Sequence, residues 1–326
     1  MAKVTVLVAV YNAAEYLSEC LESLLNQTLR DIRIVCIDDC STDNSLSLLN
    51  EYAARDERIT VIHLPENHGQ AYARNRGLDI AEGDFVCMLD ADDWLSLDAL
   101  ACVSEVFEKH PSTDCVLFDV MMEYPELPVR YKMPSFDSLT GMDAFKLSLT
   151  WKIHGVYMVR TALHKRVPYD DSCRLYSDDN TTRMHYLESR EVRTSTGIYH
   201  YRQHPQSATH KVSVRRFDYL KANENMKRMM CEASVSSECV AEYENHRWLN
   251  LIDVYMFYHC HAKGLDSAER KYGLSEMNRI WRTIDRKLLY RSITRKIGYR
   301  PMSFWWCFRL QEWLYFTLRG FLGRNR

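Results

Sequence analysis

Two aspartates stand two residues apart in Leu89-Asp90-Ala91-Asp92-Asp93-Trp94, directly after the apolar run 84–89. In extended chain, side chains two apart point the same way. Two carboxylates aimed together repel unless something cationic lies near them. A hard divalent ion, Mn²⁺ or Mg²⁺, takes oxygen ligands and commonly bridges to a substrate's phosphates. The plainer alternative for a bare Asp-x-Asp is a solvated acidic turn. Position favours ligand chemistry, because the pair ends a buried strand. Two more polar clusters follow apolar runs in the same way. Tyr11-Asn12 follows 4–10, and Asp38-Asp39-Cys40-Ser41-Thr42-Asp43 follows 32–37. Nothing beside Cys40 marks it as a nucleophile. There is no Gly-x-Gly-x-x-Gly after the first run and no Gly-x-x-x-x-Gly-Lys-Ser/Thr, so a dinucleotide fingerprint or P-loop is unsupported. Bound phosphates would be held by metal and side chains.

The elements that must position these clusters are legible as periodicities. Runs 4–10, 32–37, 59–64 and 84–89 read as buried strands. Between them lie helical faces: Leu17, Cys20, Leu21, Leu24 and Leu25; then Leu46, Leu49 and Ala53; then residues 70–82. Residues 38–43 are rich in turn formers and can cap the next helix. Strand and helix alternating with short connections predict a parallel sheet covered by helices on both faces. Ligands of such sheets bind beyond the carboxyl ends of the strands, where all three polar clusters fall. Further on, strands are predicted at Val116–Val120, Val156–Val159 and Ile198–Arg202, and helices at Met142–Leu149 and Asp179–Leu187. From about 210 the pattern is helical, over 213–232, 238–262 and 266–289, followed by an aromatic-rich segment at 299–322.

Length and composition bound the function. The 326 residues suit one large domain or two moderate ones. A formal charge of −2 argues against a nucleic-acid binder, which is normally basic. No eighteen-residue stretch lacks charge, so a simple spanning helix is not expected. The apolar run at 4–10 is too short for a signal peptide. Eleven scattered cysteines with no Cys-x-x-Cys fit reduced cytosolic thiols. Cys260, between His259 and His261, reads as plain packing, because helical neighbours point different ways and no second Cys/His pair has zinc spacing.

Taken together, Val4–Asn12, Asp38-Asp39-Cys-Ser-Thr-Asp, Asn67-His-Gly-Gln-Ala-Tyr-Ala-Arg74-Asn75-Arg-Gly77 and Leu89-Asp-Ala-Asp-Asp-Trp94 resemble the family 2 glycosyltransferases of GT-A fold. The resemblance covers roughly residues 3–205. It implies an α/β nucleotide-binding sheet (1–119) joined to an acceptor-binding half (120–210), then a helical C-terminal region (211–326). It implies a nucleotide-sugar donor, most often UDP-linked, and inverting transfer to a hydroxyl by a hexosyl- or N-acetylhexosaminyltransferase. Ala9, where members often carry proline, and Tyr11 would line the nucleoside pocket together with Ala91. Asp39 would accept from the uracil ring, since a carboxylate suits a ring N–H, and Asp38 would support the turn. Arg74 would reach the nucleotide or its diphosphate; without the motif it reads as a surface helix arginine. Asp92 would touch the metal, and Asp90 would meet the ribose or a metal-bound water. Asp93 would cap the following helix. The base, by resemblance, is Asp179 in Tyr176-Ser177-Asp178-Asp179-Asn180, with Asp178 where a glutamate is usual. The plainer alternative is an acidic helix N-terminus favoured by the dipole. Tyr199-His200-Tyr201-Arg202-Gln203-His204-Pro205-Gln206-Ser207 resembles a stretch closing many such domains. His204 would join the metal shell or meet the diphosphate, and Arg202 would bind phosphate. Trp94 and Trp151 would stack on sugars, although tryptophans are more often core.

A nucleotidyltransferase would also use carboxylates and a metal, but with a Gly-rich basic loop where Tyr11-Asn12-Ala13-Ala14 stands. A non-catalytic sugar-nucleotide-binding protein is the other alternative. The charge is polarised. Residues 1–119 carry eight Lys/Arg against twenty-two Asp/Glu, and residues 286–326 carry ten against one. The basic, aromatic end is expected to pair with a second subunit or to lie on a membrane surface. A cytoplasmic enzyme, peripheral on the inner face of the membrane and acting on a glycan or lipid-linked acceptor of a bacterial surface polysaccharide, is the default the resemblance suggests.

Overall fold

A computed structural model of the protein describes residues 2–204 and 212–323. Pro205, Gln206 and Ser207, of the stretch that ends the predicted catalytic domain, lie outside the described residues, as does the boundary at 210.

The chain divides into two compact units, Met1–Arg174 with Thr181–Thr209, and Leu175–Asn180 with His210–Arg326. In the first unit the apolar run Val4–Val10 forms β1. It is followed by α1 (Leu17–Leu25), β2 (Ile32–Asp38), α2 (Ser45–Arg55), β3 (Ile59–His63), α3 (Gln70–Asp79) and β4 (Phe85–Met88). These strands pair in parallel in the order β3-β2-β1-β4. The chain winds outward from β1 to β3, then returns to the other side of β1. That reversal makes a topological switch point between β1 and β4, where the carboxyl ends leave a crevice.

The remaining elements of the unit are β5 (Trp94–Leu95), α4 (Ala99–Lys109), β6 (Cys115–Glu123), β7 (Val129–Arg130), β8 (Ser138–Thr140), α5 (Gly141–Ser148), β9 (Tyr157–Arg160) and α6 (Thr161–Arg166). They are completed by α7 (Asp178–Glu188), whose first three residues group with the second unit, and β10 (Glu191–Arg202). The four N-terminal strands form the predicted parallel sheet, and the later strands add antiparallel pairs to it. Beyond β4 it continues as β9-β6-β10-β5, with β9 antiparallel to both β4 and β6. β10 starts seven residues before the predicted Ile198, because Arg193, Thr194 and Ser195 disguise its first half. Its register shifts between Thr194 and Ile198, where Gly197 packs so close to the Ala99 carbonyl that a Cβ would approach to 2.5 Å. Leu17, Cys20, Leu21 and Leu24 of α1 and Val6, Val8, Ile34 and Cys36 of the sheet share one core.

The second unit is helical: α8 (Asp218–Glu232), α9 (Ser237–His261), α10 (Ser267–Thr283), α11 (Arg291–Thr294) and α12 (Trp305–Phe321). Phe217, Trp248, Leu251, Tyr255, Trp281, Phe308 and Phe316 form its core. The helix predicted over 266–289 stops at Thr283. There the Asp285 N–H turns to the buried Glu244 Oε1 (2.5 Å) and the Leu288 carbonyl to Asn245 Nδ2 (2.9 Å). All eleven cysteines are unpaired, and Cys260 is exposed rather than packed. Among the described residues no helix is long and apolar enough to cross a membrane.

Candidate active site

Strand register brings the polar clusters level. Val10 pairs with Asp38 in β2, so Tyr11 and Asp39 leave the sheet side by side. Leu7 pairs with Met88, and the Leu89 N–H donates to the Leu7 carbonyl at 3.0 Å, which sets Asp90 beside Ala9. Tyr11 is about half exposed (48%). Asn12 and Cys40 both adopt left-handed backbone, with φ of 52° and 61°. Asn12 is held there because its Oδ1 accepts the N–H groups of Thr42 (2.7 Å) and Asp43 (3.3 Å). Backbone strain of this kind collects at binding sites.

The two aspartates after β2 divide the work. Asp38 is fully buried, and its Oδ2 accepts from the Ser41 N–H (3.2 Å) and contacts His63 Nδ1 (2.8 Å), so it supports the turn. Asp39 accepts the His68 and Gly69 N–H groups, one on each oxygen, both at 2.8 Å. It therefore holds the loop that leads into α3, not its own following helix, and each oxygen keeps a lone pair for a further donor. Gly69 has φ +98°, and a Cβ there would lie 3.0 Å from the Arg174 carbonyl oxygen.

The acidic motif is a turn rather than extended chain: the Asp93 N–H donates to the Asp90 carbonyl at 3.0 Å. Folding back this way gathers three carboxylates, not two. Asp90, Asp92 and Asp93 each place an oxygen within 4.8 Å of the others. Asp90 Oδ1 accepts from Arg74 Nη2 (2.5 Å) and Gln70 Nε2 (2.7 Å). Arg74 is 1% exposed, so it is no surface arginine; its guanidinium also lies over the Tyr169 ring. Gln70 was not anticipated, although it stands four residues before Arg74 and so shares its face of α3.

Asp93 does not cap a helix. Its Oδ2 accepts from the Tyr199 hydroxyl (2.7 Å) and its Oδ1 from the Arg202 N–H (2.8 Å), which ties the turn to β10. Tyr199 also accepts the Asp90 N–H at 3.2 Å. Burial, then the charges of Asp90 and Asp92, push the Asp93 carboxyl well above the usual carboxylate range, against its two donors. Tyr199 was missed because it reads as an ordinary strand aromatic.

His204 and Arg202 converge on the same turn. His204 Nε2 lies 2.9 Å from Asp92 Oδ2, and its buried Nδ1 has no hydrogen-bond partner among the described residues. Arg202 Nε donates to the Asp92 carbonyl at 2.8 Å, and its guanidinium pairs with Glu19 and lies over Tyr16 and Trp94. Trp94 is further stacked on His200 at 5.0 Å. Its ring is thus packed within the protein. Trp151, at φ +54°, lies under the guanidinium of Arg183, 4.6 Å from the ring centre.

Asp178 and Asp179 open α7. Asn180 fastens that turn to α8 through Nδ2 and the Ala222 carbonyl (2.9 Å), and Tyr176 packs edge-on against Tyr219 at 5.1 Å.

The donor set fits a hard divalent cation. Three carboxylates converge, and Asp93 already has a donor on each oxygen, so Asp92 and Asp90 are the residues that would hold the ion. His204 already leans on Asp92.

A mixed sheet that is parallel about its switch point, with an acidic turn at the carboxyl end of β4, is the architecture of a GT-A-type glycosyltransferase. The sequence profile of Glycosyl transferase family 2 matches residues 5–211, and the chain belongs to that family. It is 40% identical to the putative glycosyltransferase EpsH of Bacillus subtilis over 123 residues, 38% of this chain. The match spans only about a third (35%) of that relative's length. The fold is similar to that of Staphylococcus aureus TarS residues 1–349, solved with UDP-GlcNAc (TM-score 0.74, 19% identity, covering 99% of this chain and 92% of that one). It is also similar to the Pyrobaculum calidifontis mannosyltransferase PcManGT, solved with GDP-Man and Mn²⁺ (TM-score 0.55, 16% identity, 99% and 88% covered).

Proposed function

We propose that this glycosyltransferase moves a sugar from a UDP-sugar to a hydroxyl of a glycan or lipid-linked acceptor, with inversion at the anomeric carbon. The observation that carries this reading is the acidic turn Asp90–Asp93, seated beside Ala9, Tyr11 and Asp39 at the carboxyl ends of β4, β1 and β2. The UDP-GlcNAc bound to TarS supports the choice of donor. Asp39 accepts from the base, Tyr11 and Ala9 flank the nucleoside, and Ala91 lets the chain approach it. Arg74 holds Asp90 in place from within the protein. A bound Mn²⁺ or Mg²⁺ would supply Lewis-acid neutralisation of the leaving diphosphate. Asp179 takes the acceptor hydroxyl's proton as its oxygen attacks C1 from the side opposite UDP. The C1–O bond breaks and UDP leaves with the electron pair. Asp178 and Asp179 both stand in the first turn of α7.

Incubation of the full chain with a panel of NDP-sugars and Mn²⁺, followed by release of the nucleotide, tests this directly. UDP-sugar hydrolysis is expected, falling about 100-fold or more in Asp92→Asn with the melting temperature kept. Near-normal turnover in that variant would sink the metal assignment. Asp179→Ala should lose transfer while calorimetry still detects UDP-sugar binding. If Asp178→Ala alone were inactive, the two roles would be exchanged. Release of pyrophosphate from a nucleoside triphosphate and a sugar phosphate, with no NDP-sugar turnover, would identify a nucleotidyltransferase instead.

A further inference from the structure

The apolar residues of α12 point two ways. Phe308 and Phe316 are buried in the core of the second unit, with Glu312 between them. On the other side, Trp306, Leu310, Trp313, Leu314, Leu318 and Phe321 are between 47% and 86% exposed. Their steps of four, three, one, four and three residues keep them on one side of the helix. Of the twenty exposed large apolar side chains among the described residues, ten lie between 290 and 322. This concentration is far beyond the scattered exposure normal for a protein surface.

Around this face the charge has one sign. Lys287, Arg291, Arg295, Lys296, Arg300 and Arg309 are exposed, and none makes an ion pair among the described residues. The single acid in 286–323 is Glu312, which is fully buried. An isologous contact with a second copy would set these cations against their own counterparts. An anionic surface would complement them.

We propose that the outer face of α12, together with the basic segment before it, docks on the surface of an anionic lipid bilayer. The helix is 17 residues long. A helix of this length with one apolar face and a basic border lies along the interface, its apolar side chains entering the headgroup boundary. Indole rings such as those of Trp306 and Trp313 favour that depth, since each has an apolar body and one N–H.

Flotation of the full chain with phosphatidylglycerol–phosphatidylcholine vesicles and with phosphatidylcholine vesicles tests the proposal. Binding to the anionic vesicles is expected, weakened about 10-fold or more by high salt or by neutral lipid. Trp306→Ser/Leu310→Ser/Trp313→Ser should abolish it with the thermal transition unchanged. Arg295→Glu/Lys296→Glu/Arg300→Glu, which leaves α12 intact, should weaken it by a similar factor and decides the matter if the first variant folds poorly. No flotation with either lipid, or flotation indifferent to both variants, would overturn the proposal. So would a lipid-free dimer by light scattering that the serine variant dissociates, because the face would then belong to a second copy.

Discussion

Replacing Tyr199 by Phe removes one oxygen that serves two buried groups, the Asp93 carboxylate and the Asp90 N–H. A buried polar group left without its partner costs about 1–3 kcal/mol. Tyr199→Phe should therefore lower the unfolding free energy of the first unit by about that amount in urea titration, although Tyr199 belongs to none of the predicted site residues. Asp90 depends on Arg74 in the same way. These side chains were legible to different degrees. Asp92, Asp90 and Asp39 declare themselves by type and by position at strand ends. Asp93 looked like a cap for the helix that follows, but β5 comes first and α4 begins only at Ala99. Its actual partners, Tyr199 and the Arg202 N–H, come from a strand more than a hundred residues later.

At the scale of elements, local periodicity located the strands and helices that carry the site, and tertiary partners set their limits. The capping box at α10 is a local device: Asp266 Oδ1 accepts the Glu269 N–H (2.8 Å), and Glu269 Oε2 accepts the Asp266 N–H (2.9 Å). Asp266→Ala should destabilise the second unit by about 1 kcal/mol, read as a lower urea midpoint. The other end of α10 answers to distant groups, Glu244 and Asn245, which no pattern within 266–289 could announce. The first half of β10 was hidden for a related reason. Its polar residues take strand form by pairing with Cys115–Leu117 of β6, not through their own propensity.

For the molecule as a whole, the polarised charge has a thermodynamic consequence in the second unit. Burial raises the Glu312 carboxyl from its ordinary 4.5 to about 8. The folded state therefore holds this proton more tightly than the unfolded chain does. Its contribution to stability is complete below about pH 4.5 and is lost as pH rises through about 8. Glu312→Gln mimics the protonated acid. It should match the parent near pH 4.5 and exceed it at pH 8.5 by roughly 2–4 kcal/mol, since each pKa unit is worth about 1.4 kcal/mol. Thermal melts of both proteins across that range check the slope. In the sequence, Glu312 was simply the lone acid of a basic segment. By itself, the sequence determined the α/β order, the strand-end clusters and the family, because strand and helix periods and motif order are written in near neighbours. Only the tertiary structure decided which groups meet there: Arg74 and Gln70 on Asp90, His204 on Asp92, Tyr199 on Asp93. It also decided which apolar residues of α12 are covered and which face outward. Those pairings depend on strand register and helix packing, which join residues far apart in the chain and leave no periodic trace in it.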